Sequence, residues 1–487
     1  MEIRVESVEF FERPTQTRLP FHFGAVTMRS ATTLIARVRA SAEGAACQGF
    51  AADLLVPKWF DKDPTRSAAQ NEADLKESAR LAAEQMIGLN AASPFELWRQ
   101  TYAARQAVAA TYPGGGLAVG FGVALVERAL LDAACRGADM NFFDAWKSDL
   151  FEYKPGLLNE ALRDWKPAQT LASQRAQRIQ VRHTIGMLDP LERADRAVHE
   201  RINDHLPETL VEDIEHYGLS RFKVKLGGEP AADLARLTRL AELLPELCGA
   251  SDWSMTLDAN EQYGSTEPLA KMLDELAERK AGAALLERLR FIEQPIPRVA
   301  SFETSLREPF DALRRHAPCI IDEADADLTS FPRAIECGWR GVSVKACKGV
   351  FRAMTNRGLC EISGGEHFQS GEDLTNLPVL PLQQDLTLAT TLGLEDVERN
   401  GHHYFRGLDH LPESEAASAL QSHDSLYHRI DGGIALSINA GSLDLRSLDC
   451  VGFGYLPRIE LTSASVASVQ RSSHRSSANT QATEECS

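Results

Sequence analysis

The chain lacks an excess of positive charge: 69 Asp and Glu stand against 52 Lys and Arg, a formal charge of −17. That balance argues against a nucleic-acid binder, whose footprint is a net basic patch. A local cluster of cations can still receive an anionic small molecule. The nine cysteines, spread from Cys47 to Cys486, form no CxxC pair, which reads as reduced thiols in the cytoplasm. No run approaches the roughly 20 apolar residues of a membrane span. The opening, MEIRVESVEFFERP, is charged and strand-like rather than a signal peptide. What remains is 487 residues, 44% hydrophobic and 25% charged, the composition of a soluble globular protein long enough for two domains.

Two rhythms divide the chain. Residues 2–12, ATTLIARVRA and CQGFAADLL alternate as strands of a small meander. A loop, TRLPFHFGAVTMRS, is expected between the first two, with Pro20 and Gly24 as breakers. Helical patterning follows, and LAVGFGVALVERALLDAACRG reads as a buried helix closed by Gly137. From about residue 178, strands alternate with helices: RIQVRHTIG, RFKVKLGG, WSMTLDAN, LRFIEQP, PCIIDEA, GVSVKACKG, GLCEISGG and, as the eighth, EDVERNGHHYF. Such units predict a (β/α)8 barrel over 176–428 behind an α+β domain over 1–150. RIDGGIALSINAG reads as extended chain leaving the barrel, so that about 430–462 completes the first domain. The Ser- and Thr-rich 463–487 is expected to be a disordered tail.

RFKVKLGG places Lys223 and Lys225 on one face of a strand, inside an apolar run. Successive strands then end in Lys225, Asp258, Glu293, Asp322 and Lys345, at intervals of about 33, 35, 29 and 23 residues, near the roughly 30 of a βα unit. A single Asp or Glu at a strand end is ordinarily a helix cap; five ionisable groups in register are not. They would ring the C-terminal mouth, where barrel enzymes keep their sites. Three converging carboxylates suit a hard divalent cation, Mg²⁺ being the natural one. Lys225 and Lys345 come from opposite sides and could address two faces of one substrate carbon. A lysine base must fall from about 10.4 towards 7–8, roughly 4 kcal/mol.

The ordered set KVK, LDAN, FIEQP, IIDEA and VSVKACKG resembles the signature of the enolase superfamily, in its muconate-lactonising and mandelate-racemase-like branch. The likeness runs from about residue 178 to 365 and more loosely over the N-terminal region, which resembles that family's capping domain. It implies that Asp258, Glu293 and Asp322 bind one Mg²⁺ holding a substrate carboxylate. Lys225 and Lys345 would be the acid/base pair, Lys223 an electrostatic support at the substrate carboxylate, and Asn260 an ordering group. The implied reaction removes an α-proton through an enediolate, giving racemisation, epimerisation or cycloisomerisation. The alternatives are an acid-sugar dehydratase, a lyase using the same metal, and a silent barrel with a binding role. A small carboxylate is the implied partner, and a homo-oligomer the usual assembly.

Departures from the pattern bear on the substrate. Lys348 is followed by Gly349 and Val350 where two glycines are common. QDLTLA offers only Asp385 and Thr387, in a helical context, where dipeptide epimerases carry Asp-x-Asp. GGEHFQSGED is expected to bring Glu366 and His367 to the mouth, where His367 competes with Lys345 as base. His402 and His403 are adjacent, so on a strand only one could face inward, and no second metal site is expected there. Phe21, His22 and Phe23 in the capping domain are pocket candidates by analogy.

Overall fold

The structure is a computed structural model; it describes residues 1–461 and 465–469 except 24–25, 197–199, 250–251 and 457. β1 (Ile3–Phe23), β2 (Val26–Ala42) and β3 (Ala45–Leu55) form an antiparallel sheet. The expected loop between the first two strands is instead the far end of a long hairpin, paired up to Phe23↔Val26. Pro20 is accommodated at a register irregularity between Gln16 and Phe21, which is where a strand tolerates a residue without an N–H. The hairpin is held because Leu19, Phe21 and Phe23 are buried on alternate positions. Ser465–Val469, within the segment read as a tail, pairs with β1; residues 470–487 lie outside the described chain.

Three helices cover this sheet: α1 (Ala68–Met86), α2 (Pro94–Gln106) and α3 (Gly115–Gly137). Ser67 and Gln70 form a capping box at the start of α1. Leu117 to Cys135 of α3 are all buried, as its sequence predicts. Gly122 lets α3 approach α1, since a Cβ there would stand 2.3 Å from the Ser78 carbonyl oxygen.

Eight parallel strands close the second domain: Arg178–Ile185, Arg221–Lys225, Ser254–Asp258, Leu289–Glu293, Cys319–Ile321, Gly341–Val344, Phe368–Gly371 and Asp396–Arg399. Closure comes from the eighth strand pairing with the first, Asp396↔Gln180 to Arg399↔His183. The eighth falls within the expected segment. The seventh does not: GLCEI belongs to the helix Val350–Ile362, with Ser363 as its cap. There Gly358 lies flat against Trp165, its absent Cβ only 2.9 Å from the ring, so the glycine marks a close helix contact rather than a strand end. After the barrel, Ser442–Asp444 runs antiparallel to the first barrel strand. The chain then returns to the N-terminal domain, where Phe453 stacks on Phe142 at 3.7 Å and the Tyr455 hydroxyl donates to Asp132 at 2.7 Å.

The two domains share buried polar contacts. Glu127 of α3 accepts the Phe351 N–H at 2.7 Å, at the start of the helix Val350–Ile362. Burial pushes its carboxyl up to about 7, against that hydrogen bond and two arginines. A raised folded pKa gives stability that is full below the unfolded value of about 4.3 and lost as pH rises through 7. Glu127→Gln keeps the acceptor and removes the titration. Relative to the parent, the variant should gain thermal stability as the pH rises from about 4 to 8, by at most about 4 kcal/mol. Parallel melting curves across that range would show no divergence if the buried carboxyl did not titrate.

Candidate metal and acid–base site at the barrel mouth

Side chains alternate along each barrel strand, so the residues that face the interior follow from one fixed point. Lys223 supplies it: its Nζ lies 2.9 Å from Asp258, 2.7 Å from Glu293, 2.7 Å from Glu372 and 2.9 Å from Glu398. Asp258 and Glu293 are register partners at the ends of the third and fourth strands. Ser343 and Lys345 continue the ring on the sixth, and Thr184 on the first, its hydroxyl donating to Glu398 at 2.6 Å. Lys223 is wholly buried. An ammonium has three N–H donors, and four carboxylates surround this one, so it presents nothing to a substrate. Its place is beneath the mouth, as the counter-ion of the ring.

One layer higher the two other predicted lysines diverge. Lys225 Nζ donates to Asp258 at 2.5 Å and to the Asn260 side-chain oxygen at 3.0 Å. On the far side Lys345 Nζ donates to Asp322 at 2.6 Å, beside Lys348, which donates to the same carboxylate at 2.9 Å. The Trp59 ring of the N-terminal domain lies 4.5 Å from Lys345 Nζ, a cation–π contact. Asn260, held in the left-handed region at φ 43°, gives its N–H to Asp258 and its side-chain amide to Glu323. Asparagine is among the few residues that adopt this conformation readily. Gln294, also left-handed, accepts the Asp322 and Ala324 N–H groups and fixes the turn after the fifth strand.

The electrostatics are those of a ring whose charges are shared unequally. Burial pushes Asp322 up, but Lys345, Lys348 and Lys223 override it and hold the carboxyl well below the usual range. Asp258 is likewise lowered by Lys223 and Lys225 against burial. Glu293 goes the other way: burial, then Asp258 and Glu372, push it well above an ordinary carboxyl, and Lys223 does not compensate. Burial presses the Lys345 ammonium down, yet Asp322 outweighs it and leaves the pKa above the ordinary lysine value. The depressed lysine expected from the sequence is therefore not the state seen while Asp322 is free to pair with it.

The donor set fits a hard divalent cation. Asp258, Glu293 and Asp322 offer oxygen atoms from three neighbouring strands. Both Glu293 carboxylate oxygens are buried without an aligned hydrogen bond, and Lys223, its one close cation, is shared with three other carboxylates, so the carboxylate has room for further positive charge.

The structure also adds residues and removes one. Glu372 and Glu398, which complete the cage around Lys223, lie on the strand alternation of SGED and DVER; Glu372 would have followed from a correct seventh strand, and Glu398 from the alternation of the eighth. Lys62, Trp59 and Glu323 have no periodic signal and meet only in space. With Phe23 and Asn260 they line a cavity of about 250 Å³ over the mouth; larger clefts elsewhere on the surface carry none of the ring residues. Phe21 stacks on Tyr404 at 4.2 Å and His22 contacts Thr27 at 2.7 Å, so of the three candidates only Phe23 reaches this cavity. His367 precedes the seventh strand instead of ending it. It therefore sits at the N-terminal end of the barrel, opposite Lys345, and cannot compete as base. Asp385 is in the helix Leu380–Thr391, bonded to the Ala346 N–H and Arg399.

No known family model matches the chain, and no curated protein matches it. Solved structures do match it over nearly their whole lengths. A muconate lactonizing enzyme from Pseudomonas fluorescens, complexed with muconolactone, covers 93% of this chain and is itself covered to 97%, at TM-score 0.59 and 14% identity. A dipeptide epimerase from Enterococcus faecalis V583, complexed with Mg and L-Leu-L-Tyr, gives 93%, 99%, 0.59 and 16%. An enolase-superfamily protein from Roseovarius nubinhibens ISM, complexed with magnesium, gives 96%, 100%, 0.56 and 16%. The chain thus has the fold of the muconate-lactonizing and mandelate-racemase-like proteins of the enolase superfamily, a closed eight-stranded parallel barrel beneath an antiparallel capping domain.

Proposed function

We propose that this protein abstracts the α-proton of a small carboxylate, with Lys225 and Lys345 as acid/base groups on opposite faces and one Mg²⁺ held by Asp258, Glu293 and Asp322. The observation that carries the reading is the placement of the two ammonium groups. They stand on the second and sixth of eight strands, each at the mouth and each paired to a different member of the carboxylate row. When bound, Mg²⁺ supplies positive charge where a second negative charge collects on the substrate carboxylate.

The chain's own residues account for the rest. Lys223 neutralises the floor of the ring, so that Asp258 and Glu293 can remain close together. Asp322 controls Lys345: while its charge is free the ammonium is favoured, and once that charge is engaged elsewhere burial and Lys223 favour the neutral amine. Trp59 and Phe23 cover the mouth from the capping domain and limit water around the reacting carbon. The small cavity favours a compact substrate. A lysine on each face suits racemisation or epimerisation; cycloisomerisation needs only one. The dehydratase alternative loses its second base, because His367 lies at the other end of the barrel.

The test is hydrogen exchange. The protein is incubated with Mg²⁺ in D₂O against pooled N-acyl amino acids, acid sugars, dipeptides and lactones, and each α-proton signal is followed by NMR. Loss of one signal is expected, dependent on Mg²⁺. No exchange across the panel, together with no Mg²⁺ binding by calorimetry, would leave a silent barrel with a binding role.

A further inference from the structure

His183, Asp213, His402 and His403 meet on the outer side of the barrel seam. Arg182 and Thr184 face the interior, where they contact Glu372 and Glu398; His183 between them must face outward. There it meets Asp213 of the helix Leu210–Tyr217 and the short helix Gly401–Tyr404 that follows the eighth strand. Because 401–404 is helical rather than extended, both adjacent histidines can turn towards the same place, which a strand would forbid.

His183 Nδ1 is 3.0 Å from His402 Nε2, His183 Nε2 is 3.8 Å from Asp213 Oδ2, and His403 Nδ1 is 2.7 Å from the same oxygen. One donor atom each from His183, Asp213 and His402 lies within 4.8 Å of the other two. Asp213 is 0% exposed, yet neither of its oxygens, nor His402 Nδ1 nor His403 Nδ1, has an aligned hydrogen bond. His403 and His183 both face Oδ2, while Oδ1 is buried with no partner, and a buried carboxylate oxygen in that condition is costly unless a cation completes it. Tetrahedral zinc with bonds of about 2.0–2.1 Å sets its ligand atoms roughly 3.3–3.4 Å apart, so the three donor atoms, one from each residue and within 4.8 Å of one another, would draw in on an ion by side-chain rotation. Two imidazoles and one carboxylate suit zinc and not magnesium, which takes oxygen donors. His402 is partly exposed, which gives an ion a way in.

We propose that His183, Asp213 and His402 form a second metal site, for a zinc-class transition ion, separate from the carboxylate site inside the barrel. Its position assigns it a structural role. It ties the first strand to the chain leaving the eighth, across the pairing Arg399↔His183 that closes the barrel, and to the helix Leu210–Tyr217. His403 positions Asp213, and the Tyr217 ring packs on His402 at 5.0 Å.

The experiment uses chelator-treated full-length protein, saturated with Mg²⁺ so that the interior carboxylates are engaged, then given Zn²⁺ and desalted. One equivalent of zinc per chain is expected by elemental analysis, with a raised melting temperature. His402→Gln and Asp213→Asn should each lose that equivalent, and Asp258→Asn should keep it. Co²⁺ in place of Zn²⁺ should give the intense visible bands of a tetrahedral site in the parent protein, a readout that does not depend on any variant folding. No retained zinc and no such bands would overturn the proposal. So would an equivalent that Asp258→Asn loses while His402→Gln and Asp213→Asn keep it, which would place the ion inside the barrel.

Discussion

Lys223→Met is expected to cost about 3–5 kcal/mol of stability in metal-free buffer near neutral pH, the usual consequence of removing one partner from a buried ion cluster. Lys223 touches Asp258, Glu293, Glu372 and Glu398, and the nearest remaining cations, Lys225 and Arg182, contact only Asp258 and Glu372 among them. The deficit should depend on pH with a definite sign. In the parent, Lys223 is the largest opponent of burial at Asp258 and Glu398 and lowers both. Such groups contribute stability above the unfolded carboxyl value of about 4, and lose it as pH falls through their folded values. The variant lacks that contribution, so its deficit should be full at pH 7 and shrink as the pH falls below about 4, towards pH 2. Urea midpoints of parent and variant at both ends of that range measure it. Equal midpoints at pH 7 would mean that the four carboxylates do not depend on this ammonium.

Lys225→Ala and Lys345→Ala should each reduce net turnover by at least about 10²–10⁴-fold, the usual contribution of a positioned acid or base. Their difference is more informative than their size. If the reaction inverts a stereocentre, each variant should still wash deuterium into the enantiomer whose α-proton faces the surviving lysine, and should fail with the other. If the reaction is a cycloisomerisation or an elimination, one variant should be silent and the other impaired mainly in substrate affinity. Following both enantiomers by NMR in D₂O separates the cases. Exchange of both enantiomers at parental rates in both variants would remove the lysines from the mechanism. Lys345→Ala also strips Asp322 of one of its two ammonium partners, so Lys345→Arg serves as the charge-preserving control: it should hold Asp322 and remain inactive, because an arginine does not deprotonate.

Charge placement was legible at the level of the linear chain because strand alternation is local. A residue two positions from Lys223 shares its face whatever the rest of the fold does, and the same holds for Thr256 with Asp258 and Ser343 with Lys345. The repeat of such strand ends about once per βα unit was enough to indicate a barrel and the side of it that matters. The seventh strand escaped this reasoning because GLCEISGG has apolar and glycine residues that suit a strand end and a close-packed helix equally. Misplacing it by a few residues moved His367 from the bottom of the barrel to the top and hid Glu372. A shift in strand assignment carries every attached side chain with it.

The sequence by itself determined which residues could share a face, most of the strands and the buried helix, and that two lysines would flank three carboxylates around one mouth. Local backbone geometry is sufficient for that. Only the tertiary structure decided how those charges pair: that Lys223 is enclosed below the mouth, that Asp322 is shared by Lys345 and Lys348, that Trp59 and Lys62 arrive from another domain, and that four polar side chains converge outside the seam. Ion pairing and burial depend on distances between segments remote in the chain. Those distances are fixed by packing over the whole molecule, which no local pattern encodes.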